Sequence, residues 1–302
     1  MFLKKTYRYL VYLSLAFLVY KLAKTDYLAV PHIYNWTALI ISILILSIAN
    51  LISAFLWFRV LRETGSGVAF LHCLASQGLT IFAKYIPGFI WTVAGNVSYI
   101  SEKFKYNNVN LIIAALYFQI ATVWCALFLG SIGLLFTDTG NNKVLLIISL
   151  ILLTGTIAGL LLLKPIGHLI NSFLRKRNKA PLNIPKTYTY LKLTPLFFLI
   201  NGVWALAFHF FALSLSTSGV PPFSGLGFDL GIAYGILSVF TPGGIGVREG
   251  VVSKYLMDLG VETTSAISTS VSSRLWYLGS EILFFLQGYI ALLLLRRKNE
   301  KT

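Results

Sequence analysis

Residues 241–250 read T-P-G-G-I-G-V-R-E-G and interrupt a long apolar stretch in the last third of the chain. Pro242 and the glycines that follow it disfavour a continuous helix at this position. Arg248 and Glu249 come directly after the interruption. A broken backbone inside a bilayer is tolerated only where protein or a water-filled cavity satisfies its polar groups. The segment therefore predicts a polar site inside a membrane protein, since charges at membrane depth mark functional sites.

The composition around this segment is that of a membrane protein. The chain has 302 residues, of which 57% are hydrophobic and 12% are charged, whereas a soluble domain carries about 25% charged residues. The net charge of +15 comes from 25 Lys and Arg against 10 Asp and Glu, and the basic residues concentrate in short loops and tails. This distribution is typical of the positive-inside rule and of contact with anionic headgroups, and it does not favour nucleic-acid binding.

Hydrophobic length predicts an all-α polytopic fold with about six full transmembrane helices and two re-entrant helical hairpins. The full spans are expected at about 9–22, 36–58, 109–136, 144–163, 194–215 and 263–295. The re-entrant hairpins are expected at about 68–100 and 226–260. Eight ordinary transmembrane helices are the alternative, because the apolar lengths are ambiguous.

The longest hydrophilic connection sets the expected orientation. Residues 164–192 hold seven Lys and Arg residues and no acidic residue, which indicates a cytoplasmic loop. We expect a single integral membrane domain over 1–302, divided by this loop into a first half at 1–163 and a second half at 193–302. Counting sides from the loop places both termini in the cytoplasm and the protein in the plasma (inner) membrane. The N-terminus is predicted to be a retained first span rather than a removed signal peptide.

The two interruptions look like copies of each other. At an offset of 155 residues, Pro87-Gly88 aligns with Pro242-Gly243, and six of the twelve positions at 87–98 are identical to their counterparts. Paired Gly/Pro-interrupted segments in the two halves of a membrane protein point to an inverted repeat with a binding site near the bilayer midplane.

The residues expected to bind a ligand are mainly basic. Arg248 suits a phosphate headgroup, because the start of a helix and a guanidinium fork both bind anions. Arg274 lies inside the last apolar stretch and shares a helical face with Glu281, seven residues on. An Arg–Glu pair that only locks the loop, a salt bridge between helices, and a Lys84 that only snorkels to the interface are the structural alternatives. We predict lipid-headgroup binding by Arg248, Glu249, Arg274, Lys84, Gly243, Gly244 and Gly246, structural breaks at Pro87, Gly88 and Pro242, and proton coupling at Glu281 or Asp258.

Other chemistry finds no support in the sequence. The four histidines are scattered, the two cysteines lack metal-ligand spacing, and neither a Walker A nor a G-x-S-x-G motif occurs. We therefore expect no metal, no cofactor, no catalytic residues and no enzymatic activity.

Three segments together resemble the transmembrane-region family of lysylphosphatidylglycerol synthases, which includes stand-alone, flippase-like membrane proteins. They are P-G-G-I-G-V-R-E at 242–249, K-Y-I-P-G at 84–88 with Trp91, and the intramembrane Arg274. The resemblance spans essentially the whole chain. It implies movement of an anionic lipid between leaflets, with two re-entrant hairpins around a central cavity. The aminoacyl-transferring domain of the bifunctional members does not occur in these 302 residues, so we expect no synthesis of an aminoacylated lipid.

The leading functional hypothesis is translocation of an anionic, phosphate-bearing lipid, either a phospholipid or a polyprenyl-phosphate-linked lipid. One alternative is a membrane-embedded glycosyl- or lipid-modifying transferase with Glu249 or Glu281 as its base. Another is a non-transporting partner subunit of cell-surface glycan assembly. The expected partners are the lipid and the membrane. A second copy of the chain, or a separate synthase or glycan-assembly protein, is a further partner hypothesis.

Overall fold

A computed structural model describes seven stretches of the chain: 32–86, 90–104, 106, 108–137, 187–238, 244 and 246–299. It also describes single residues or pairs at 147, 150–151, 153–154, 171–172 and 175–176. All regular structure in these ranges is helical, and no strand occurs among them. The span predicted at 9–22 lies outside the described residues. The span predicted at 144–163 and the basic loop at 164–192 lie largely outside them.

The described ranges contain eight α-helices and a short 3₁₀ helix, Ile81–Tyr85, that continues the second of them. The α-helices are α1 Trp36–Glu63, α2 Phe70–Thr80, α3 Ile90–Phe104, α4 Asn108–Leu134, α5 Thr187–Ser214, α6 Leu226–Leu237, α7 Val247–Asp258 and α8 Thr263–Asn299. Four of these, α1, α4, α5 and α8, are long and apolar enough to cross a membrane. They coincide with the spans predicted at 36–58, 109–136, 194–215 and 263–295.

Local capping explains where two of the long helices begin. The side chain of Asn35 accepts a hydrogen bond from the Ala38 N–H (3.0 Å) at the start of α1. The carboxylate of Glu262 accepts bonds from the N–H groups of Thr264 (3.1 Å) and Ser265 (3.0 Å) at the start of α8. Bonds from the Thr264 hydroxyl and from these N–H groups hold the pKa of the exposed Glu262 carboxyl below its usual range.

The long helices α1 and α5 pack antiparallel and define the two ends of the bundle. At one end, Lys192 Nζ lies 3.1 Å from Glu63 Oε1, beside Arg59 and Arg62; this is called the basic end below. At the other end, the Tyr34 N–H donates to the Ser214 carbonyl (2.9 Å); this is called the opposite end.

The shorter helices form two pairs that start from different ends of the bundle. The pair α2 and α3 begins and finishes at the basic end, where the Gly67 N–H donates to the Tyr106 hydroxyl at 2.8 Å. The pair α6 and α7 begins and finishes at the opposite end, where the Tyr255 hydroxyl donates to the Phe223 carbonyl at 3.0 Å. Phe223 stacks on Phe136, just beyond the end of α4.

Small residues allow these pairs to pack closely. Gly78 of α2 crosses Gly288 of α8 so tightly that a Cβ on Gly78 would lie 2.8 Å from the Gly288 Cα. On α6, glycines recur every fourth residue at 227, 231 and 235 and face α7. A Cβ on Gly235 would lie 3.5 Å from the Arg248 Cβ. The glycine stripe therefore brings the backbone of α6 against the first turn of α7, as in other close helix crossings in membranes.

Candidate functional site

The two helix pairs meet at a cavity of about 240 Å³ inside the bundle. Its wall is built from both pairs and from the long helices around them. The site residues predicted from the sequence that reach it are Lys84, Gly244, Arg248, Arg274 and Glu281. The breaks predicted at Pro87, Gly88 and Pro242, and the predicted ligand Gly243, lie outside the described residues.

Arg248 is the cavity cation that forms no ion pair with the residues that the structure describes. It occupies the first turn of α7 and is 8% exposed. Its guanidinium carbon lies 4.6 Å from the centroid of the Phe228 ring and 4.7 Å from that of Tyr277. Within the described part of the chain, its Nε and Nη2 have no hydrogen-bond partner. Since a buried charge without hydrogen bonds is costly, this arrangement favours an anion as the missing partner.

Glu249, the next residue, holds the site together. Its Oε2 accepts a hydrogen bond from the Gly246 N–H (2.7 Å), which caps the start of α7. Its Oε1 pairs with Arg274 Nε on α8. Its main-chain carbonyl accepts from the Ser270 hydroxyl at 2.8 Å. These contacts join α7 to α8 and commit the carboxylate to protein groups, so Glu249 positions its neighbours rather than offering a free charge to a ligand.

Lys84 and Glu281 form a second ion pair in the wall of the cavity. Lys84 belongs to the 3₁₀ helix after α2, and Glu281, 3% exposed, belongs to α8. The Tyr85 hydroxyl donates to Glu281 Oε2 at 2.7 Å. The Glu281 carboxylate is therefore bound by two residues, Lys84 and Tyr85, that lie shortly before the first interruption.

The aromatic ring of Tyr277 lies between the Lys84–Glu281 pair and Arg248. Its centroid is 4.4 Å from Lys84 Nζ and 4.7 Å from the Arg248 guanidinium carbon. Tyr277 was not among the site residues predicted from the sequence. Its position offered a signal, because Arg274, Tyr277 and Glu281 follow each other at helical spacing and occupy one face of α8.

The backbone of the second interruption approaches α6 where the cavity wall is formed. Gly244 has a φ of 70°, and a Cβ there would lie 2.6 Å from the Gly235 Cα. Gly246 has a φ of 86° and precedes the first residue of α7. Both positions favour glycine because of the left-handed φ, and position 244 also requires it for space. Their observed role is to set the course of the chain into Arg248.

The other residue predicted for proton coupling lies elsewhere. Asp258, in the last turn of α7, pairs with Lys254 one turn earlier. It does not belong to the described wall of the cavity. Gln77 and Asn96, on α2 and α3, do line it and add amide groups beside the charges.

Comparisons with models of known protein families, with curated proteins and with solved structures find no match to this chain.

Proposed function

We propose that this protein moves an anionic, phosphate-bearing lipid across the membrane, with the headgroup passing through the cavity while the acyl or prenyl chains stay in the bilayer. The observation that carries the proposal is the Arg248 guanidinium, buried among apolar helices, whose Nε and Nη2 have no hydrogen-bond partner among the described residues. A charged headgroup crossing hydrocarbon unaided is very costly. A cationic cavity at that depth lowers the barrier by replacing part of the headgroup's hydration.

The charge balance of the site supports an anionic ligand. Three cations, Lys84, Arg248 and Arg274, face two carboxylates, Glu249 and Glu281, so one positive charge remains over these five described residues. A phosphodiester carries one negative charge and presents the oxygens that an arginine fork binds well. Binding one such group would leave these residues and the ligand with no net charge.

The size of the cavity favours a headgroup over a whole lipid. Its volume of about 240 Å³ is below the roughly 300–1,000 Å³ of pockets that enclose drug-sized ligands. A phosphate with a small polar substituent fits this space. A phospholipid headgroup and a polyprenyl phosphate share that chemistry, and the assay below separates them.

We further propose that the two helix pairs are re-entrant and enter from opposite faces of the membrane. Their helices have 11, 15, 12 and 12 residues, or about 17–23 Å each at 1.5 Å per residue. This is shorter than the roughly 30 Å hydrocarbon core. The contacts at 67–106 and 223–255 support entry and exit at one end for each pair. Such an arrangement brings two interrupted segments together near the midplane, as in inverted-repeat transporters.

The contacts of the two carboxylates favour translocation over a transferase reaction. A general base needs a carboxylate free to accept a proton from a substrate. Glu249 is engaged by Gly246 and Arg274, and Glu281 by Lys84 and Tyr85.

The decisive experiment measures lipid scrambling in proteoliposomes with fluorescent phosphatidylglycerol, phosphatidylcholine and a short polyprenyl phosphate. We expect wild-type protein to move at least one of the anionic lipids faster than phosphatidylcholine. Arg248→Ala should slow that movement by about tenfold or more, as expected for losing about 1.5–3 kcal/mol of charged hydrogen bonding. Arg248→Lys should fall between them, because it keeps the charge and loses the fork.

Arg62→Ala is the matched control, since Arg62 is exposed at the basic end. It should transport like the wild type. Wild-type rates in folded Arg248→Ala protein, or no movement of any lipid by folded wild-type protein, would refute the proposal. A cellular role that persists in Arg248→Ala would then favour the partner-subunit hypothesis.

A further inference from the structure

Asp229, on α6, is a buried carboxylic acid that the anion site does not use. Its side chain is 0% exposed, and in the described part of the chain neither carboxyl oxygen has a hydrogen-bond partner. An ionised carboxylate with no partner in such a setting is very unfavourable, and a buried group of this kind stays neutral instead. In the conformation described, Asp229 therefore holds a proton.

Among the described residues, the side chains around Asp229 include no cation paired with it. α6 packs against α4, α5 and α7 and touches α8 through Phe228. The titratable or charged side chains that these helices turn toward α6 are Cys125, His209, Arg248, Tyr255 and Tyr277. Cys125 and Tyr255 lie near the Asp229 carboxyl, and both are buried. Of the other three, His209 is bonded to Ser224, and Arg248 lies over the rings of Phe228 and Tyr277.

The position of Asp229 connects it to the cavity. Ile232 and Ile236 line the cavity, and they follow Asp229 by three and seven residues, on the same side of α6. Asp229 thus continues the cavity wall toward the opposite end of the bundle, where α6 begins. Any motion that opens the cavity toward that end would bring water to the carboxyl.

We propose that Asp229 is a proton-binding site that couples lipid movement to a proton gradient: it takes up a proton from the basic end, holds it while the opposite end is closed and releases it to water when that end opens. This inference rests on the proposed function. A conformation that must bind a proton is favoured as protons become more available, by linkage. A difference in pH between the two faces would therefore bias the direction in which the lipid accumulates.

The proton site is tested first without any lipid transport. Infrared spectra of purified protein at neutral pH should contain the carbonyl stretch of a protonated, buried carboxylic acid. The band should disappear in Asp229→Asn. It should persist in Asp258→Asn, the matched carboxyl-to-amide control, because Asp258 is paired with Lys254. A spectrum that Asp229→Asn leaves unchanged would overturn the inference.

The coupling is tested in the same proteoliposomes with an imposed pH difference and fluorescent phosphatidylglycerol or polyprenyl phosphate. We expect the pH difference to shift the steady-state distribution of lipid moved by wild-type and Asp258→Asn protein. Asp229→Asn should still scramble lipid but should give the same distribution with and without the gradient. If wild-type protein scrambles lipid without responding to the gradient, or if Asp229→Asn keeps the response, the coupling is refuted and translocation stands. If folded wild-type protein moves no lipid, translocation and coupling both fail, and the infrared band alone decides whether Asp229 binds a proton.

Discussion

At the scale of single residues, the site contains two ion pairs and a third cation, Arg248, that belongs to neither of them. Lys84 and Arg274 each have a carboxylate, and the ring of Tyr277 lies against both Lys84 and Arg248. A cation over an aromatic face gains about 0.5–2 kcal/mol, more where water is excluded. The rings of Tyr277 and Phe228 thus keep Arg248 buried without neutralising it, which leaves its charge available to a ligand.

The Lys84–Glu281 pair makes the first residue-scale prediction. Glu281→Gln removes a carboxylate that is 3% exposed and leaves Lys84, whose side chain is 28% exposed, beside an amide. Breaking a fully buried ion pair from one side typically costs about 3–5 kcal/mol. Since Lys84 keeps partial access to solvent, we expect a smaller but clear loss of stability. Thermal unfolding in detergent measures it.

A second substitution shows whether the pair or the carboxylate itself matters. Replacing both partners by uncharged groups is often close to neutral, so Lys84→Met with Glu281→Gln should recover most of the lost stability. If the double variant is as unstable as Glu281→Gln alone, the stabilising role of Glu281 lies in its bond with Tyr85 and not in the ion pair.

The charged residues of the site could be found from the sequence, and their partners could not. Arg248, Arg274 and Glu281 stand out because charge is rare inside apolar stretches. The same rule applies to Asp229, which was not among the site residues predicted from the sequence. The pairing of Lys84 with Glu281, and of Glu249 with Arg274, depends on how distant helices meet, which no local periodicity encodes. The structural alternative given for Arg274 was a salt bridge between helices, and the structure contains two: Arg274 of α8 pairs with Glu249 of α7, and Glu281 of α8 pairs with Lys84 of the 3₁₀ helix.

At the scale of helices, close contacts between glycines position the site. The crossing of α2 and α8 at Gly78 and Gly288 brings the two backbones together. Gly78 lies six residues before Lys84, and Gly288 lies seven residues after Glu281. The glycine stripe on α6 likewise brings the backbone of α6 close to α7 and positions Arg248. Hydrophobic length and the Pro/Gly break predicted helical segments on either side of the second interruption, and α7 begins at Val247, beside Arg248, where the start of a helix was expected. Which faces of these helices would touch depends on tertiary packing and was not predicted.

Two glycines of α8 provide a matched test of the α2–α8 crossing. Alanine favours a helix over glycine by about 0.5–1 kcal/mol, so Gly279→Ala, where nothing lies within 4 Å of the added Cβ, should be neutral or stabilising. Gly288→Ala should instead destabilise by about 1–3 kcal/mol through overpacking, since its Cβ would lie 2.8 Å from the Gly78 Cα. Thermal unfolding of both variants, together with lipid transport, measures the difference. Equal stability of the two variants would contradict the tight crossing.

At the scale of the whole molecule, the two ends of the bundle differ in charge. Arg59, Arg62, Lys103 and Lys192 lie on helix ends that meet at the basic end. The loop at 216–225, at the opposite end, carries no Lys or Arg. By the positive-inside rule, we propose that the basic end faces the cytoplasm, as the basic loop at 164–192 predicts.

Cysteine labelling tests this orientation. The natural cysteines, Cys73 and Cys125, are buried and should react little, so single added cysteines report their own exposure. We expect Ser218→Cys to react with a membrane-impermeant maleimide in intact cells and Lys103→Cys to react only after permeabilisation. Both positions are exposed. The reverse pattern would invert the proposed topology and place the α6–α7 pair on the cytoplasmic side.

The bond between Tyr85 and Glu281 joins residues 196 positions apart, and this has a consequence for how the protein is made. At about 5–20 residues per second, a ribosome needs roughly 10–40 s to reach Glu281 after it has synthesised Tyr85 and Lys84. During that interval Lys84 has no Glu281 to pair with, so burying it at its final position in the bundle is unfavourable. We therefore expect α8 to be synthesised and inserted before Lys84 reaches its position in the bundle. The contact between the two halves of the chain then forms at the end of biogenesis.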